Sequence, residues 1–345
     1  MAHEISNVGF GNEVFTAGKP AWHGLGANVR EAVTSVEAMQ LAGLDWKVLE
    51  GPVYGLTDIR VNQDWSRENL TRMPGKKMTF RLDAEEKAVP LGVVGEDFKV
   101  VQNAEAFDFM DGLIGDGAAA YETAGALHQG RRVWMLCRIP GDIVVGDERD
   151  VTRKYLLLAN GHDGSMALKV FFTPIRVVCA NTLAAAFQHK EKNAGVSIRH
   201  SGDVKDKVKE AREVLGLAVQ HYDDLGRTFN RFVKEAITKD DAREYFQRVL
   251  PATKDKEAST RVENARDAML QGFERGRGAE IAGRTVWGAY NAVAEYATHT
   301  RHETRSRASK ADASDRRFEA VMFGSDKALT ERAFSLAAQM VGIKD

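Results

Sequence analysis

Apolar positions in this chain follow two different rhythms. Before about residue 200 they fall in short runs and alternations rich in β-branched and aromatic residues, and after Ser201 they recur at steps of three and four. In the first region, Thr34 followed by Glu37 is a capping-box spacing and Gly43 a C-terminal stop, which predicts a short helix from Ser35 to Ala42. Trp46, Val48 and Val53-Tyr54 are strand-type residues. Met78 to Leu82 alternates, Leu91 to Val94 is apolar, and the polar Asp83 to Lys87 stretch between them predicts a hairpin. Asn103 is placed to cap a helix carrying Phe107, Met110, Leu113 and Ile114. Tyr121 to Ala126 and Arg132 to Ile139 flank a His128-Gln129-Gly130 turn. Further strands follow at Ile143 to Val145, Tyr155 to Ala159 and Leu168 to Phe172, the last two joined by Asn160 to Ser165. Pro174 is expected to open a helix near Ile175 that runs to about Phe187.

In the second region Val204, Val208, Ala211, Leu215, Ala218, Tyr222, Leu225, Phe229 and Phe232 keep an a/d heptad spacing. One long helix, or a helix broken near Gly226, is expected there. The small and aromatic residues at these positions suit intramolecular packing better than a two-stranded seam, with self-association the alternative. Thr238 caps a further helix that Pro251 ends, Thr260 with Glu263 opens another toward Phe273, and more follow over Val286 to Ala297 and Lys327 to Met340. No repeated strand-helix-strand units occur, so the chain is expected to be α+β: an antiparallel sheet with packed helices in residues 1–200, and an all-helical part in residues 201–345.

Composition narrows the function classes. Hydrophobic residues make up 43% and charged residues 28% of 345 residues, ordinary for a globular chain. Lys plus Arg is 48 against 49 Asp plus Glu, so a polyanion must be met by a local patch rather than by the overall charge. Cys137 and Cys179 are too few for a disulfide framework and suit a reducing compartment. No run approaches about 20 apolar residues, so no membrane span is expected. The first ten residues lack the apolar core of a secretory signal, and the expected location is the cytoplasm.

Candidate chemistry is sparse. Cys179, His162 and Asp163 carry the residue types of a nucleophile system, but equally those of a core thiol and a polar turn. His299 and His302 share a helical spacing without a supporting metal motif. Asp111 with Asp116, and Asp223 with Asp224, read as solvated faces. No G-x-x-x-x-G-K-[ST] loop is present, and no strand precedes the Trp22-His23-Gly24-Leu25-Gly26 run. No cofactor is expected. Nucleic-acid binding has more support: Arg131 and Arg132 at a hairpin base, Lys169 in a strand, Arg176 and Arg199 stand among Trp134, Phe171 and Phe172, although Phe171 and Phe172 must point to opposite faces. A second basic stretch has Arg301, Arg305, Arg307, Lys310, Arg316 and Arg317 against Glu303, Asp312 and Asp315. It suits phosphate contact or a polar linker.

Several segments resemble a known family. They are Pro20 to Gly26, Ala42 to Trp46, Gly92 to Gly95 with Val101-Gln102-Asn103, Tyr121 to Gly125, Asn160 to Ser165, Phe172 to Thr182 and Trp287 to Val293. Together they resemble the phage/plasmid-like family that carries domain of unknown function 932, over nearly the whole chain. A weaker resemblance links the strands at Arg131 to Ile139, Tyr155 to Ala159 and Leu168 to Phe172, with the helix expected from Ile175, to phage single-strand annealing proteins of the RecT, Redβ and Erf kind. That resemblance implies rings or filaments that hold single-stranded DNA in a basic groove without nucleotide hydrolysis.

The expected function is therefore ATP-independent binding and annealing of single-stranded DNA for a phage or plasmid. Arg131, Arg132, Lys169, Arg176 and Arg199 would capture the backbone, Trp134 and Phe171 would stack bases, and Arg301, Arg305 and Arg307 would add contacts. A homo-oligomer is expected to lay such grooves end to end. The rivals are a module that sequesters a host protein, and an enzyme using the His162-Asp163 turn with Cys179 or Asn181.

Overall fold

The computed structural model describes residues 27–32, 34–56, 69–115, 119–178, 181–183, 195–200, 218–252, 258–301 and 310–343. In the α+β N-terminal part the order is β1 (Ala27–Asn28), α1 (Ser35–Ala42), β2 (Leu49–Leu56), β3 (Leu70–Leu82), β4 (Ala88–Gly95), α2 (Asn103–Gly115), β5 (Ala120–Leu127), β6 (Arg132–Val144), β7 (Val151–Gly161), β8 (Leu168–Phe172), β9 (Ile175–Arg176), β10 (Asn181–Thr182) and β11 (Gly195–Ile198). Helices follow: α3 (Ala218–Lys234), α4 (Lys239–Val249), α5 (Thr260–Arg275), α6 (Ala279–Ala282), α7 (Val286–Glu295) with a π-helical turn over Tyr296–Thr300, α8 (Lys310–Met322) and α9 (Ser325–Met340).

Two antiparallel sheets result. The larger has the order β1-β5-β6-β7-β8-β11, with β9 on β7 and β10 on β9; the smaller is β2-β3-β4. Alternation explains why the larger sheet is buried on both sides. Val133, Met135, Cys137, Leu156 and Leu158 share one core with Phe107, Met110 and Met39 of α2 and α1. The intervening Trp134, Leu136, Tyr155 and Leu157 share another with Phe318, Val321 and Met322 of α8. A third core joins Ile143 of β6 and Val145 just after it to Tyr222, Phe229, Phe232, Trp287 and Phe334 of the helices. Hydrophobic cores therefore run across residue 200.

Thr34 does accept the Glu37 N–H as expected, and Thr238 forms a reciprocal capping box with Asp241. Other expectations need correction. The cap of α5 is Ser259 rather than Thr260, and its side chain makes no capping bond. Asn103 does not cap α2; its amide nitrogen donates to the Leu44 carbonyl and its oxygen meets His162. Asp111 is no solvated face either, because it accepts from Ser35 and Tyr121. Of the two readings at Gly226 the unbroken helix is the one observed: α3 passes through it, and glycine lets the helix approach β6, since a Cβ there would stand 3.3 Å from Ile143. Its described heptad residues Tyr222, Leu225, Phe229 and Phe232 are buried inside the chain, and the earlier part of the repeat lies outside the described residues.

The largest correction concerns Ile175. No helix starts there: Ile175 and Arg176 pair with Arg153 and Thr152 of β7, and Thr182 and Asn181 fold back on them. The cause is Arg176, whose side chain is consumed by a buried partner described below. The remainder of the expected helix, from residue 184 on, lies outside the described residues.

Candidate functional site

The expected nucleic-acid residues separate into two sets. Trp134 is 1% exposed and tilts against Phe318 at 4.7 Å, so it is core and offers no face to a base. Phe171 is also buried, edge-on to Phe323 at 5.7 Å. Arg176 is buried completely. Its Nε and Nη2 donate to the two oxygens of Asp150 at 2.6 and 2.7 Å, and Nη2 also donates to the Gly278 carbonyl at 3.1 Å. The Trp287 indole N–H donates to the same Asp150 at 2.8 Å. Gly278 is required there: its φ is +73° and a Cβ would stand 2.7 Å from Val178. Arg301 is committed to buried Asp326. Trp134, Phe171, Arg176 and Arg301 are thus structural. Arg305 and Arg307 lie outside the described residues, as do Cys179 and His302.

The second set stays at the surface and is partly brought together. Arg131 and Arg199 are exposed. Arg132 at the start of β6 reaches Glu319 of α8 and donates to the Ser165 hydroxyl at 2.8 Å. Lys169 on β8 is near enough to Arg132 and to Lys327 of α9 to feel both charges; partial burial first, and then these like charges, hold its ammonium pKa below the ordinary lysine value. Lys327 lies over the Phe171 ring at 4.5 Å. Lys169 has no ion-pair partner among the described residues. Arg132, Lys169 and Lys327 thus come from β6, β8 and α9 to one face of the sheet, where Arg132 pairs with Glu319 and Lys327 with Glu331. Lys327 was not legible from sequence, because nothing in a helical Ser-Asp-Lys says which strand it will cross.

The turn beside these cations is unusual. His128 and Gln129 have φ of +50° and +62°. Asp315 accepts the His128 backbone N–H at 2.7 Å and Glu319 meets its Nε2 at 2.9 Å, which raises the imidazole pKa above the ordinary histidine value. On its other side, Gln129 accepts from the Arg81 guanidinium of β3 at 3.1 Å. This turn therefore ties α8 to the small sheet.

A nucleophile system is not assembled among the described residues. His162 is fully buried and its Nε2 lies 2.9 Å from Asn103, while Asp163 turns away to bind the Ser165 hydroxyl and N–H. Asn181 lies near the opposite end of β7, donating to the Asn291 carbonyl at 3.2 Å. Ten residues of strand separate His162 from Thr152, about 30 Å at about 3.3 Å per residue. His299 is paired with Arg317 through its Nδ1 at 3.2 Å. No group of three or more His, Cys, Asp or Glu among the described residues is placed to hold a metal. No described helix is long and apolar enough to cross a membrane.

The small sheet adds a feature that sequence reading missed. Thr79, Val94 and Leu91 are buried toward the body, and Thr79 donates to the His162 carbonyl at 2.6 Å. The register puts Leu49 and Pro90 beside Phe80, and Val93 beside Met78, on the other face. Val93 is 54% exposed, Leu82 41% and Leu49 36%. Met78, Pro90 and Val93 line a shallow depression of about 310 Å³ together with Arg131 and Asp163.

Neither the curated proteins nor the solved structures compared with this chain include a match. A family model, described as Domain of unknown function (DUF932), matches residues 90–322. The matched span begins within β4, after β2 and β3, and takes in Arg132 and Lys169 and the Arg176–Asp150–Trp287 assembly. Because that span covers more than half of the chain, the protein belongs to the DUF932 family.

Proposed function

We propose that this protein binds single-stranded DNA without nucleotide hydrolysis and anneals it, in the phage or plasmid setting that its sequence resemblance implies. The carrying observation is that Lys327 of α9 lies over the Phe171 ring two residues along β8 from Lys169, that Arg132 of β6 comes to the same face, and that Lys169 alone of the three has no ion-pair partner among the described residues. Like charges held together without an ion-pair partner for Lys169 lose energy that an anion would return, and phosphate is the anion a near-neutral chain can still meet locally. Exposed Arg131 adjoins Arg132, and exposed Arg199 follows β11, whose Ser197 pairs with Lys169. Stacking by Trp134 and Phe171 and backbone capture by Arg176 are no part of this proposal, because those side chains are buried. Self-association would set successive clusters along one strand.

The test is fluorescence polarisation of a labelled single-stranded oligonucleotide across a salt series. Wild type is expected to bind at low salt with a steep loss as salt rises. Lys169→Glu with Lys327→Glu is expected to weaken binding about a hundredfold, taking about 1.4 kcal/mol for each of two lost contacts. The same pair should lower the salt slope by about 1.4, at about 0.7 per phosphate for single strands. No binding by wild type at low salt would sink the proposal.

A further inference from the structure

We infer that the outer face of β2-β3-β4 is the platform on which the unpaired bases of a bound strand lie, so that the protein holds single strands by their bases as well as their phosphates; this rests on the nucleic-acid reading above. The face is made by Leu49, Met78, Phe80, Leu82, Pro90 and Val93, of which Leu49, Leu82, Pro90 and Val93 are exposed and Met78 and Phe80 half-buried. A contiguous apolar patch of this kind on a protein surface often marks an interaction site.

Three observations select the occupant. The first is size. Eight residues of strand across three strands span about 25 Å by about 10 Å, a few hundred Å². That is well below the roughly 800 Å² per partner of a stable protein interface. Enlarging the contact by strand addition from a second copy is opposed by Pro52 and Pro90, which stand in the two edge strands β2 and β4, where each removes a backbone donor. The second is charge. Lys76 lies in β3 at the end of this face and Arg131 lines the depression at its β4 edge; both are exposed and neither has an ion-pair partner among the described residues. Cations bordering an apolar surface are what a strand with charged backbone and apolar bases requires. The third is continuity. Arg131 adjoins Arg132 of the cation cluster, and Asp163 of the depression bonds Ser165, which in turn binds Arg132. The face and the cluster therefore meet at one turn.

The experiment uses the full chain and three probes: a labelled single-stranded oligonucleotide, the same backbone made abasic, and the matching duplex. Wild type is expected to prefer the oligonucleotide with bases over the abasic one roughly tenfold, with equal salt slopes. The triple variant Leu49→Ser, Phe80→Ser, Val93→Ser should lose that preference and keep the slope. Val93→Trp, at a position already in solvent, should raise the preference and guards against a triple variant that fails to fold. Binding of wild type to both single-stranded probes alike would overturn the inference and leave the proposed function standing. Binding to none of the three probes would overturn both. A wild-type mass that is a dimer in solution, made monomeric by the triple variant with no change in base preference, would assign the face to a second copy and overturn the inference.

Discussion

Arg176→Met is expected to destabilise the protein by about 3–5 kcal/mol in urea unfolding, the cost of removing one partner of a buried ion pair. The magnitude follows from what stays behind. Asp150 is 0% exposed, and without the guanidinium its charge keeps only the Trp287 indole N–H as a side-chain donor among the described residues. The Gly278 carbonyl loses the guanidinium and keeps only the Ile281 and Ala282 backbone N–H groups among the described residues, and the arginine's place 5.7 Å from the Trp287 ring loses its charge. Removing both charges together, as Arg176→Met with Asp150→Leu, should recover much of the loss, since a dry apolar pair needs no compensation. The single and double variants thus bracket the assembly that joins β7, β9 and the α6–α7 region. Equal stability of Arg176→Met and wild type would mean that the pair is open to water, and would return Arg176 to the list of surface cations available to phosphate.

Acidification below about pH 6.5 is expected to cost roughly 1.4 kcal/mol per pH unit through His162 alone. His162 is 0% exposed, and burial first, then the charge of His200, lowers its pKa from 6.5 to about 3. The Asn103 amide nitrogen already donates to Leu44, so the Asn103 oxygen faces His162 and accepts a hydrogen bond from Nε2–H, which leaves Nδ1 unprotonated. Nδ1 has no hydrogen-bond partner among the described residues, so protonating it would bury an unpaired charge. Above 6.5 the ring is neutral whether the chain is folded or not, and His162 contributes no pH dependence. Between 6.5 and about 3 the unfolded chain takes a proton that the folded chain refuses, so stability falls as pH falls. Urea unfolding of wild type and His162→Gln at pH 5 and pH 6.5 reads this directly. The variant's slope should be shallower by one proton even if its stability at pH 7 is lower. Identical slopes would show that His162 is solvated, and would reopen the catalytic reading of the His162-Asp163 turn.

Much of the secondary structure was legible because it depends on neighbours along the chain. Thr34 and Thr238 cap helices through bonds that reach only three residues. Val133 to Cys137 and Tyr155 to Ala159 read as strands because unbroken apolar runs of that length suit a sheet covered on both sides. Arg176 shows the limit of such reading. It sits in Ile175-Arg176-Val177-Val178, and an arginine inside an apolar run is itself a signal for a buried, paired charge. Pro174 suggested a helix start, but local propensity lost to a partner 26 residues away.

By itself, the sequence determined the α+β class, the helical character of the C-terminal part, the antiparallel strands and the family. All of these rest on periodicity, caps and motifs that span a few residues. Only the tertiary structure decided which charges face water. Arg132 and Lys169 lie 37 positions apart, and Lys327 comes from another element altogether, so their meeting depends on strand order and on where α9 crosses the sheet. The same holds for the exposed face of β2-β3-β4. Period-two alternation shows that a strand has two sides, but not which side the rest of the molecule will leave uncovered.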